Sequence, residues 1–267
     1  MKTNSLYLKI TSVISYVIML TANYLANALP LNGFTTGELS DFYPNLFTPA
    51  GLTFSIWGII YLLLLVYLIY YISASHKILD PIKKEKFDKI ALLFIVTSLI
   101  NASWIFAWHF RYIAVSVLLM LCFLVCLIRV ADIINTVTLT MTEKAMIKMP
   151  FGVYFGWITV ATIANITAFL VSLEWNGFGI PDYIWMIVIS IVGAVIGNIR
   201  GLKDQCGAYL LILIWAYGGI LFKHLSANGF NGEYHYIIGT VILCLISFVL
   251  SIGILITKMR KLQNIHE

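Results

Sequence analysis

Residues 53–73 read TFSIWGIIYLLLLVYLIYYIS, 21 positions without one charged side chain. About 20 mostly apolar residues in helical form cross the hydrocarbon core of a bilayer, so this stretch reads as a membrane span. Working outward, comparable stretches lie near 6–29, 90–110, 112–134, 149–172, 182–199, 207–224 and 236–257. Short polar breaks separate them. The sixth and seventh are the shortest and flank the polar turn from Arg200 to Gly207; losing either would make the count odd. Lys2 and Lys9 ahead of the first stretch and Ala26-Asn27-Ala28 behind it could also mark a cleaved signal peptide, but the run is long enough to span. Apolar residues make up 61% of the chain and charged residues 11%, against roughly 45–50% and about 25% in a soluble domain. The expectation is an all-α integral membrane protein with about eight transmembrane helices and no separate soluble domain.

Charge orients the bundle, because cytoplasmic loops collect Lys and Arg. Eight spans place Lys2, Lys9, Lys77, Lys83, Lys84, Lys86 and Lys89 on one side, with Arg129, Lys144, Lys148, Arg200, Lys203, Lys258, Arg260 and Lys261. Only Arg111 and Lys223 fall on the other. This division predicts a multi-pass protein with both termini cytoplasmic, expected in the plasma membrane. The net charge of +5 is then a topology signal, and the partner it implies is the lipid bilayer and not nucleic acid. Arg129 and Asp132, three residues apart near the inner end of the fourth helix, read as a local ion pair.

Familiar catalytic and metal motifs are missing. Cys122, Cys126, Cys206 and Cys244 form no CxxC pair, and no His stands at zinc-site spacing. There is no P-loop, no GxGxxG after a strand and no GxSxG elbow. An enzyme is therefore not expected, nor a metal or a required cofactor. His109 and Arg111, at an outer turn, could hold ligand carboxylates if the chain did catalyse.

The polar and aromatic residues inside the spans form stripes. Phe54, Trp57 and Tyr61 in the second helix, and Asn101, Trp104 and Trp108 in the third, recur at three- and four-residue spacing, which puts each set on one helix face. Tyr154, Trp157, Ala161 and Asn165 do the same in the fifth. An amide in hydrocarbon is costly without a partner, so Asn101 and Asn165 should face the interior and carry the rings inward with them. Interface anchoring and plain interhelical hydrogen bonding explain any one of these residues; the converging set describes an amphipathic cavity for a flat, hydrophobic ligand.

These residues also carry a resemblance. Pro49 to Tyr61, PAGLTFSIWGIIY, resembles the first-loop and second-helix signature of the translocator protein family, also called tryptophan-rich sensory or TspO/MBR proteins, through Pro49, Trp57 and Tyr61. LINASWIFAWHF resembles that family's Leu-Asn-x-x-Trp motif, with Asn101 and Trp104 in place. Tyr154, Trp157, Ala161, Thr162 and Asn165 match its fifth-helix pattern. The sequence departs from the family in having one proline, Pro49, where a pair is usual, Gly51 where an early Trp is common, and a displaced Pro150.

The resemblance covers residues 1–173 and implies a TspO-like five-helix bundle there, with 174–267 supplying three additional helices. It implies a sensor or translocator that binds a porphyrin, tetrapyrrole or sterol-like molecule in an aromatic pocket. The loop from Pro30 to Pro49 fits a lid, with Phe42, Tyr43, Phe47 and Pro49 toward the ligand. The rival readings are a small-molecule secondary transporter or permease, disfavoured by the lack of ionisable residues at mid-membrane, and an intramembrane enzyme acting on a tetrapyrrole. Gly193 and Gly197 form a small-xxx-small pair that suits packing within the chain, or alternatively a homodimer. Trp175, between the fifth and sixth helices, reads as peripheral.

Overall fold

A computed structural model describes residues 2–29, 31–74 and 80–263, with side chains for all of these except residues 2–5, 259, 262 and 263. Pro30, Lys77 and the Lys2 side chain, named above, lie outside the described residues. The long helices are α1 (Lys2–Ala28), α2 (Ile56–Ala74), α3 (Pro81–His109) and α4 (Ile113–Asn135), followed by α5 (Met149–Ser172), α6 (Asp182–Asp204), α7 (Gly207–Leu225) and α8 (His235–Gln263). Among the described residues, eight helices are long and apolar enough to cross a membrane. The chain is an integral multi-pass membrane protein. Its α1–α2 connection holds a short helix, Thr36–Asp41, and a 3-10 turn, Gly51–Ser55, that leads into α2.

Helix α5 lies at the centre. It packs on α2 and α4 on one side and on α7 on the other, while α8 joins α7 to α6. From Pro150 to Val160 every residue of α5 is buried. Small residues permit this. A Cβ added to Gly156 would come within 2.8 Å of the Tyr209 carbonyl oxygen and 3.0 Å of Ile212 Cβ, so α7 can approach only because the side chain is absent. Gly193 faces Tyr217, and Gly197 faces Leu213 and Phe248; both pack within the chain.

Three boundaries differ from the hydropathy reading. Helix α3 begins at Pro81 rather than near 90, since Asp80 caps it by accepting from the Ile82 and Lys83 amides at 2.9 and 3.3 Å and proline suits the first helical position. Ahead of α5, Thr140 and Glu143 form a capping box that starts helical turns eight residues earlier. Helix α6 continues to Asp204 because Arg200 is paired within it. Its guanidinium meets Asp132 of α4 at 2.7 Å and Asp204 at 2.6 Å. Asp132 therefore pairs across helices and not with its sequence neighbour Arg129, which is exposed. Arg129 is only three residues, about one turn, from Asp132 along α4, whereas Arg200 reaches Asp132 and Asp204 together.

Candidate functional site

Five aromatic rings from three helices and the turn before α2 enclose a small space under the α1–α2 connection. Trp57 lies at their centre, 6.2 Å from Trp104, 6.1 Å from Trp157 and stacked at 5.6 Å on Tyr61, measured between centroids. Phe54 meets Trp157 edge to face at 5.7 Å, and Trp104 stacks on Trp108 at 6.0 Å. The three- and four-residue spacings read from the sequence produce this layer. Phe54, Trp57, Trp104, Trp108, Trp157, Ala161, Asn165 and Pro49 all line the cavity. Its volume is about 40 Å³, room for a few waters and far below the roughly 300–1,000 Å³ of a ligand pocket.

The other expected site residues lie one layer deeper. Asn23 donates to Asn101 Oδ1 at 2.6 Å, and Asn101 donates to the Tyr154 hydroxyl at 3.4 Å. Tyr61 sits beside them under Trp57, its buried hydroxyl without a partner among the described residues. This polar layer is the floor supporting the cavity rather than its wall. Asn165, in the wall, accepts from Trp104 Nε1 at 3.1 Å and donates to Ser116 at 2.9 Å. Its amide is spent on holding an indole. Trp157 differs: it is 2% exposed, and its indole N–H has no partner among the described residues. A buried donor left unpaired costs about 1–3 kcal/mol.

The lid is hung from two helices. On the α3 side, His109 is fully buried. Its Nδ1–H donates to the Leu31 carbonyl at 3.0 Å, which leaves Nε2 to accept the Thr36 hydroxyl at 3.1 Å. Asn32 donates to the His109 carbonyl at 3.1 Å, and Trp108 Nε1 donates to the Thr36 carbonyl at 3.3 Å. On the α7 side, His224 Nε2 donates to the Leu46 carbonyl at 2.9 Å, Gly219 accepts the Ala50 amide at 3.2 Å, and Trp215 Nε1 donates to the Thr53 carbonyl at 2.9 Å. A side chain on Gly219 would run into Thr53, so glycine is needed for the lid to seat there.

The expected lid residues divide between faces. Pro49 borders the cavity and Tyr43 tilts against Trp108 at 5.9 Å. Phe42 points outward, with Phe34 at 4.8 Å and the Arg111 guanidinium at 4.6 Å over its ring. Phe47 is buried on the far side of the lid segment. His109 and Arg111 are thus engaged in the lid and do not border the aromatic cavity. Sequence reading did not find Thr36, Ser40 and Thr48, the polar lid residues of the cavity. One signal was available. Thr35 to Glu38 is a capping box that announces the lid helix, and the Thr35 amide and hydroxyl hold the Glu38 carboxyl below its ordinary range.

Beyond the lid segment, between α5 and α6, lies a second cavity of about 560 Å³. Trp175 and Trp185 border it; Trp175 lies outside the aromatic cavity and lines this one.

Compared with known proteins, residues 9–254 match a family described as TSPO-like protein, so the match runs through α6 and α7 and into α8 as well as through the first five helices. No curated protein matches the chain, and no solved structure does.

Proposed function

The chain belongs to the TSPO-like protein family, and from that premise we propose that it senses or translocates a flat, hydrophobic molecule of porphyrin, tetrapyrrole or sterol type. The ligand carries a hydrogen-bond acceptor and sits among Trp57, Trp104, Trp108 and Trp157. The observation that carries this reading is the buried, unpartnered Trp157 N–H on a ring that lines the aromatic cavity. An acceptor on the ligand would remove that penalty. At about 40 Å³ the cavity is too small for such a ligand as it stands, so entry requires the lid to lift from its hydrogen bonds and the rings to part. Such a lid gates access on the microsecond to millisecond scale.

Protoporphyrin IX added to the full-length protein in mild detergent should quench indole emission saturably, with Kd on the order of 1 μM, about −8 kcal/mol. Trp57→Phe and Trp104→Phe should each weaken binding by about tenfold, roughly 1.4 kcal/mol, and Trp185→Phe should leave it unchanged. Equal effects from all three would indicate partition into detergent and remove the assignment.

The charge division further supports cytoplasmic termini. Reporter fusions after residues 40, 178 and 230 should read outside, and those after 80, 140 and 203 inside. A fusion after residue 203 that reads outside would break the topology.

A further inference from the structure

The second cavity has the size of a ligand site and a chemistry unlike that of the first. Its inner wall is aliphatic, from Ile163, Ile166 and Leu170 of α5 and Met186 and Ile189 of α6. Two indoles form one side, Trp175 and Trp185, with centroids 5.3 Å apart and planes at 53°. They are fixed in place: Trp185 Nε1 donates to the Gly177 carbonyl at 3.0 Å. Gly177 itself has φ +62°, and a Cβ there would press on the Trp185 ring at 3.1 Å. Two carboxylates complete the lining, Glu174 and Asp182. Both are exposed, and neither forms an ion pair among the described residues. Asn45 contributes little polarity, since its amide closes its own turn onto Tyr43, Phe47 and Thr48.

The surroundings carry the same sign. Among the described residues at this end of the bundle, Glu38, Asp41, Glu174, Asp182 and Glu233 are accompanied by only two Lys or Arg. Arg111 lies over Phe42, and Lys223 lies 3.8 Å from Asp41. An apolar slot, two indole faces and two unpaired carboxylates select one kind of molecule. Ammonium groups are attracted to indole faces and to carboxylates together.

We propose that this cavity binds an amphipathic ammonium compound, its apolar part between α5 and α6 and its cationic head among Glu174, Asp182, Trp175 and Trp185. The choline or ethanolamine head of a bilayer lipid and a free amphipathic amine offer this same chemistry. The test uses the full-length protein in nanodiscs of phosphatidylglycerol, titrated with octyltrimethylammonium and, separately, with octyl sulfonate. The cation should bind saturably and at least tenfold tighter than the anion. Glu174→Gln combined with Asp182→Asn, both at exposed positions, should weaken it by at least tenfold. Trp175→Phe should weaken it to a lesser degree. Repeating the titration in phosphatidylcholine nanodiscs separates the sources: apparent affinity falls if a lipid head occupies the site and holds if a free amine is the ligand. Equal binding of cation and anion, or no change in the carboxamide variant, overturns the proposal. Protoporphyrin binding stays unchanged in that variant, so this result stands or falls apart from the aromatic cavity.

Discussion

Replacing Arg200 by leucine is expected to lower unfolding stability in detergent by about 3 kcal/mol, the largest single-residue loss among the polar positions of the bundle. The guanidinium bonds Asp132 and Asp204, donates to the Ile128 carbonyl at 3.4 Å and lies over the Phe155 ring at 5.4 Å. It therefore ties α6 to both α4 and α5. Removing one member of a buried ionic set leaves the others uncompensated, which typically costs 3–5 kcal/mol. The lower end applies because Asp132 keeps 40% of its side-chain exposure and with it part of its hydration. Asp204, only 5% exposed, is the expensive survivor, although Asn135 still donates to it at 2.7 Å. Adding Asp204→Asn to Arg200→Leu should recover part of the loss. An Arg200→Leu protein that melts with the parent would show that α6 is held by apolar packing alone.

Ala161→Phe is expected to lower protoporphyrin affinity more than 100-fold while the protein stays folded. Ala161 lines the aromatic cavity between Trp157 and Asn165. A phenyl ring exceeds the available 40 Å³, so it must push Trp57 or the lid aside. Overpacking of that kind typically costs about 1–3 kcal/mol, which a bundle of eight helices can bear. Ala161→Leu, with a smaller excess, should give an intermediate loss of binding at a smaller cost in stability. Melting and binding should be read on one preparation of each variant. A clear drop in melting temperature with affinity unchanged in the folded fraction would take Ala161 out of the site and weaken the pocket assignment with it.

The span count and the inward stripes were legible because both depend on short-range periodicity. Twenty apolar residues announce a span wherever they occur, and Trp57 with Tyr61, or Trp157 with Asn165, share a face whatever the neighbouring helices do. Lid suspension and cavity volume were not legible. Trp215 reaches Thr53 and His224 reaches Leu46 through backbone carbonyls 162 and 178 residues away in sequence, and a carbonyl looks the same at every position. Asp132 had a cation three residues off and chose one 68 residues distant, because helix packing brought Arg200 within reach of two carboxylates at once. Its place between the fifth and sixth spans likewise read Trp175 as peripheral to the aromatic cavity, and only the gap between α5 and α6 makes it the wall of a second one. The sequence by itself determined the eight apolar spans and which faces of α2, α3 and α5 turn inward, since both follow from local hydropathy and helical period. Only the tertiary structure decided which inward groups meet, which indole N–H is left unpaired and how much space remains between them, since each is a difference between close-packed surfaces contributed by distant parts of the chain.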